Sequence, residues 1–182
     1  MVDRLAAVRC SRPSAVSADG DTVAALAVHM LLAEYATFRS RGARAAAARR
    51  TSKAARRKQI ELVLVANSAQ QLPPGPGVRQ VIVASGADAA DHYIIEHARP
   101  GDLVVTADIP LAAGLVDRGI TAINPRGQIY DKGSIGERLA VRNLMDELRG
   151  AGLAGRSGPP PYSDKDKQAF ANALDRLIAR LS

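Results

Sequence analysis

The pattern of apolar and polar positions changes character at Ile60. From there on, short apolar runs alternate with stretches of helical period. Ile60–Ala66 (I-E-L-V-L-V-A) is rich in β-formers and reads as a buried strand, and Val78–Val83 (V-R-Q-V-I-V) as a second. Between them, Leu72–Gly77 (L-P-P-G-P-G) lacks the backbone donors for regular structure and reads as a rigid loop. A helix is predicted from about Asp88, as its cap, to Ala98, stopped by the turn Arg99–Asp102. Leu103–Thr106 is a third strand. A helix with Pro110 in its first turn follows and ends at Gly119, and Ile120–Ile123 is a fourth strand.

Asn124-Pro125-Arg126-Gly127 turns into a short extended piece, Gln128–Tyr130. Ser134-x-x-Glu137 reads as a capping box that opens a helix to about Arg149, and Gly150–Pro161 is a Gly/Pro-rich connector. Ser163-x-x-Asp166 then caps an amphipathic helix. Its residues Phe170, Ala173, Leu174, Leu177, Ile178 and Leu181 form one stripe, so it packs on the domain. Strands alternating with helices through short loops specify an α/β fold, a parallel sheet covered by helices on both faces.

Before Ile60 the pattern is different. Residues 1–22 show no period and read as loop or disorder. Thr22–Phe38 is apolar on nearly all sides and is expected to be one helix. In Arg39–Arg57, 14 of 19 residues are Ala or Arg, both strong helix formers, so a solvated basic helix or a disordered arm is expected. The net charge of +7 is concentrated there: residues 1–60 hold 12 basic and 4 acidic residues, and the rest is nearly balanced. The basic balance is therefore no property of the α/β part, and a whole-chain argument for nucleic-acid binding from charge fails.

Composition excludes several classes. No apolar run is long enough to span a bilayer. The start lacks the apolar core of a secretory signal, and the single Cys10 forms no internal disulfide, so a cytoplasmic location is expected. His92 and His97 do not share a helix face, no zinc spacing occurs, and Ser68 and Ser85 lack His/Asp partners. No phosphate-binding glycine loop follows a strand.

Carboxylates mark the junctions instead. Asp88 and Asp91 open one helix, and Asp108 sits where Leu103–Thr106 ends and the next helix begins. Ligands of open parallel sheets bind beyond the carboxyl ends of the strands. Converging carboxylates there suit Mg²⁺ or Mn²⁺, which activate water and neutralise phosphodiester charge. Asp91 and Asp108 are the candidate catalytic residues, and Asp88, Asp91 and Asp108 the candidate metal ligands. Thr106, Asn124 and Arg126, on the same edge, are candidates to contact substrate. The structural alternative is that Asp88 is only a cap, Asp91 only complements the helix dipole, and Asn124 and Arg126 only build a turn.

The strings L-V-A-N-S (64–68), A-D-x-x-D-x-x-I around Asp88, Asp91 and Ile94, P-G-D-L-V-V-T-A-D-I-P-L-A (100–112), N-P-R-G (124–127) and D-K-x-x-F-A-N-x-L-D (166–175) occur in order. On them, residues 59–182 resemble the YaiI/YqxD family of uncharacterised bacterial proteins. The resemblance implies a PIN-like or NYN-like fold and a metal-dependent nuclease with acids at Asp91 and Asp108 and a further position at Asp88. It also implies an acidic first strand like V-D-A-D-A-C-P, which residues 1–58 do not contain; Asp19-Gly20-Asp21 follows no β-rich run. Residues 1–58 are therefore expected to be an aberrant basic extension, translated out of frame from a GC-rich gene, that packs poorly. Three functions stand open: a Mg²⁺-dependent phosphodiesterase acting on RNA or DNA, a non-catalytic RNA-binding module using Arg126 and the basic arm, and a chain inactive for want of its first strand.

Overall fold

The computed structural model describes residues 25–29, 43–67, 77–83, 88–153 and 160–181. Its centre is a six-stranded sheet in the order β3-β2-β1-β4-β5-β6. The strands are β1 (Ala25–His29), β2 (Glu61–Ala66), β3 (Val78–Ile82), β4 (Leu103–Val105), β5 (Thr121–Ile123) and β6 (Ile129–Tyr130). The first five run parallel, and β6 returns antiparallel to β5, with Ala122 opposite Tyr130. The helices among the described residues are α1 (Ala43–Lys58), α2 (Ala89–His97), α3 (Ile109–Asp117), α4 (Ile135–Gly150) and α5 (Asp164–Leu181). The α/β class expected from the alternating pattern is what forms.

Strand β2 shows why its sequence is a continuous apolar run. Leu62, Leu64 and Ala66 point to one face, packing with α1 and α5, while Val63 and Val65 point to the other, packing with α2 and α3. A two-period strand covered on both sides has no polar face to alternate with. Phe170, Leu174, Leu177 and Ile178 of α5 are buried as its stripe requires, and Phe170 is fully enclosed. Burying each such side chain is worth about 1.5–3 kcal/mol. Leu181 lies at the end of α5, and its side chain is outside the described residues, as are residues 1–24, the L-P-P-G-P stretch, Ser68 and Ser85.

Three expectations for the first third are corrected. Within Thr22–Phe38, Ala25–His29 is a strand, not helix, and it lies at the middle of the sheet, paired with β2 on one side and β4 on the other. A short apolar run is compatible with either element by periodicity, and pairing on both sides decides it. The sheet therefore has no central gap. Second, the Ala/Arg segment is helical but is not a solvated arm. Ala47, Thr51, Ser52, Ala54 and Ala55 of α1 are buried, and the three alanines share a cluster with Phe170 and Leu174. The Thr51 hydroxyl donates to the Ala47 carbonyl at 2.9 Å, and that of Ser52 to Ala48 at 2.9 Å, so neither is buried without a partner. Third, α1 shares a core cluster with residues of β2, β4, β5 and α5, and β1 pairs into the same sheet, so residues 43–58 pack as part of the same unit.

The two expected capping boxes have different outcomes. At α5 the box forms: the Asp166 amide donates to the Ser163 hydroxyl (3.2 Å) and the Ser163 amide donates to the Asp166 carboxylate (2.8 Å). At α4 the Ser134 side chain does not cap; its hydroxyl donates to Asp131 at 2.6 Å. That hydroxyl first, and then the amides of Ser134 and Gly133, which also donate to Asp131, hold its carboxyl below the ordinary 3.8.

Candidate functional site at the carboxyl edge of the sheet

The strand order places a topological switch between β1 and β4. From β1 the chain moves through α1 to β2 on one side, and β4 lies on the other. Ligands of such sheets sit outside the carboxyl ends of the two strands flanking the switch. Helices α2 and α3 follow the parallel strands β3 and β4, so both begin on this edge. They pack side by side on one face. Gly114 of α3 faces Ile95 of α2, where an added Cβ would sit in ordinary contact with Ile95 Cδ1 at 3.4 Å.

Asp108 is the cap of α3, in extended backbone, with Pro110 in the first turn. Its Oδ1 accepts from the Leu111 amide at 2.9 Å, and its own amide donates to the Thr106 hydroxyl at 3.0 Å. Thr106 is buried, so the position of Asp108 is set by the strand end and by the helix start together. Asp91 lies in the first turn of α2 and is buried, at 8% exposure. Asp88 does not cap α2 as expected: its backbone is left-handed (φ 63°), and its exposed side chain makes no capping bond.

Asn124 and Arg126 make the turn and clamp of the structural alternative. Asn124 Oδ1 accepts from the amides of Arg126 and Gln128, both at 2.9 Å, and its Nδ2 donates to Gln128 Oε1. Arg126 pairs with Asp166 at 2.8 Å and also donates to the Pro160 carbonyl, and Tyr162 donates to the Pro125 carbonyl at 3.1 Å. The turn is thus the seat of α5. Gly127 completes it, because at φ 85° an added Cβ would come within 2.5 Å of the Ala169 backbone. The two strings N-P-R-G and D-K-x-x-F-A-N-x-L-D are two sides of one joint.

Sequence reasoning missed Tyr130 and Arg138. Tyr130 is buried, and burial pushes its hydroxyl up; Arg138, over its ring at 5.7 Å, opposes this, and the Asp108 charge adds to it. Arg138 Nη1 also reaches Gln128 Oε1 at 3.2 Å. A phenol held protonated, a guanidinium and the Asp108 carboxylate therefore share one electrostatic neighbourhood. No spacing could announce it, because Tyr130 of β6 meets the Asp108 charge and Arg138 of α4 only through the fold.

The residues do not fit the expected metal centre. Among the described residues no group of three or more His, Cys, Asp or Glu is arranged to hold a metal ion, so Asp88, Asp91 and Asp108 do not form one. The central strand that fills the gap, A-L-A-V-H, carries no carboxylate to complete a set. Among the described residues no helix is long and apolar enough to cross a membrane.

Fold and edge together define an α/β protein with a parallel sheet and carboxylates at its carboxyl-terminal border. The family model described as "Uncharacterized BCR, YaiI/YqxD family" matches residues 45–180, and the chain belongs to this family. The match begins inside α1. A UPF0178 protein of Pseudomonas putida strain W619 is 51% identical over 130 residues, 71% of this chain and 86% of its own. One of Pseudomonas fluorescens strain SBW25 is 52% identical over 129 residues, 71% and 85%. One of Cellvibrio japonicus is 51% identical over 128 residues, 70% and 85%. No solved structure matches.

Proposed function

We propose that the chain is a nuclease-like phosphodiesterase acting on RNA or DNA at the carboxyl edge of the sheet. The observation that carries this reading is the position of Asp108, fixed by Thr106 and the start of α3 beside the β1–β4 switch, with Asp91 buried at the start of the neighbouring helix. In it, the Asp108 carboxylate takes the proton of a water that attacks the phosphorus, while the P–O bond to one nucleoside oxygen breaks and that oxygen leaves and takes a proton from solvent. Arg138 faces the phosphate charge, and Tyr130, kept protonated, is a hydrogen-bond donor. Asn124 and Arg126 hold the turn and contribute through position. Because the described residues do not make the expected Mg²⁺ or Mn²⁺ set, no step is assigned to a metal.

The second reading, a nucleic-acid-binding module without cleavage, is favoured by α1. That helix contains no acidic residue and exposes Arg49, Arg50, Lys53 and Arg56 on one side. Labelled single-stranded and duplex RNA and DNA, incubated with the full chain with Mg²⁺, Mn²⁺ or chelator, separate the two. Cleavage lost in Asp108→Asn, with an unchanged melting curve, supports the enzyme. Binding that weakens steeply with salt, is unaffected by Asp108→Asn and yields no product supports the module.

A further inference from the structure

The structure returns the positive charge of the first third to the domain. From Ala46 on, the exposed positions of α1 are Arg49, Arg50, Lys53, Arg56, Arg57 and Lys58, and the helix holds no acidic residue. At about 100° per residue, the first five fall within an arc of about 120°. That arc lies opposite the side on which Ala47, Thr51, Ala54 and Ala55 are buried. Because the buried side is packed, the cations form a fixed row rather than a loose arm. The row is about 10 Å long from Arg49 to Arg56, at a rise of about 1.5 Å per residue.

The row has a direction. α1 feeds β2 directly through Gln59 and Ile60, so its end lies at the amino edge of the sheet and its start toward the carboxyl edge. Arg50 acts electrostatically on Tyr162, whose hydroxyl donates to the Pro125 carbonyl in the turn after β5. Arg126 of that turn lies over the Tyr162 ring at 5.8 Å, and its amide donates to Asn124. Asn124 and Asp108 both act on the Tyr130 hydroxyl. Contiguous residues thus join the row to the edge that holds Asp108.

We propose that α1 anchors the backbone of a polynucleotide and directs the strand to that edge, which rests on the reading of Asp108 as the site of cleavage. The row and the edge are then two parts of one surface, not alternatives. A row of one sign matches a polymer of phosphates, and each phosphate it neutralises releases counterions. The helix contains no aromatic residue to stack on a base, so it holds phosphates and is indifferent to sequence. A lipid surface is disfavoured, because helices that lie on membranes insert an apolar face, and the alanine side of α1 is closed into the core. Asp175 of α5 pairs with Arg57 and bounds the row on that side.

Fluorescence anisotropy of a labelled single strand of about 12 nucleotides, at low salt, tests the anchor. Its binding to the full chain carrying Asp108→Asn should weaken by roughly tenfold or more when Arg50→Gln and Lys53→Gln are added, and the slope of log affinity against log salt should shrink by about 1.4. Both positions are exposed, so the thermal melt should not change. With Asp108 intact, the same pair should raise KM for the oligonucleotide by a similar factor, with no such rise for a dinucleotide, which is too short to reach the row. Affinity and salt slope untouched by the pair overturn the proposal, and so does a rise in KM that is equal for both substrates. Binding to phosphatidylglycerol vesicles through the row, in a chain that does not bind the oligonucleotide, overturns it as well. Oligonucleotide binding that follows the row in a chain that never cleaves keeps the anchor and removes the phosphodiesterase reading instead.

Discussion

Helices α1 and α4 have the same length, 16 residues, and opposite fates. α1 is mostly Ala and Arg with no large apolar residue, yet one side of it is closed into the core beside Phe170 and Leu174. α4 carries Val, Leu and Met at helical spacing, yet that side faces outward. The difference lies in what each helix meets. α1 crosses between β1 and β2 and lies against α5, where alanines permit close approach and larger side chains would not fit. α4 is buried only at Ile135 in its first turn, and Val141, Leu144 and Met145 further along are exposed. Apolar content alone therefore does not tell which helix is covered; side-chain size and the place of the element in the chain path do.

The comparison can be broken first at α5, the partner of α1. Phe170→Ala should lower the unfolding free energy by about 3–5 kcal/mol, measured by chemical denaturation. A loss near that of a surface site would mean the α1–α5 face is not a core. Next, Ala55→Leu on α1 should cost about 1–3 kcal/mol by overpacking, whereas Leu144→Ala on α4, measured in dilute solution, should stay within about 0.5 kcal/mol. Equal effects would erase the distinction between the two helices.

The smallest effect concerns the joint that seats α5. The Ser163 amide and hydroxyl, and then Arg126, hold the Asp166 carboxyl below its ordinary 3.8. A depressed folded-state value gives stability that is present above the unfolded value and lost as pH falls through the folded one. Melting temperature should therefore drop as pH falls below about 4, and the drop should be shallower in Asp166→Asn. A parallel drop in both proteins would remove Asp166 from that account.

Much of the candidate site was legible in order along the chain. A strand ending in Thr106, then Asp108, then Pro110 specifies a capped helix at a sheet edge, and the structure has it. The stripe from Phe170 to Ile178 was legible because large apolar residues reveal their period. The Ala-rich side of α1 was not, since small side chains give little contrast between buried and exposed positions. Ala25–His29 was not, since an unbroken apolar run suits a helix as well as a central strand. Arg126 suggested a phosphate contact because its partners, Asp166 and Pro160, come from the far end of the chain.

The location of the site depends on β1, because the switch exists only if Ala25–His29 separates β2 from β4. Hydrogen exchange of the amides of Leu26, Ala27 and Val28 measures this directly. A strand paired on both sides at the centre of the sheet should exchange as slowly as Leu62–Val65, near the global unfolding limit. Exchange as fast as that of exposed chain would contradict the sheet order and, with it, the location of the site beside Asp108.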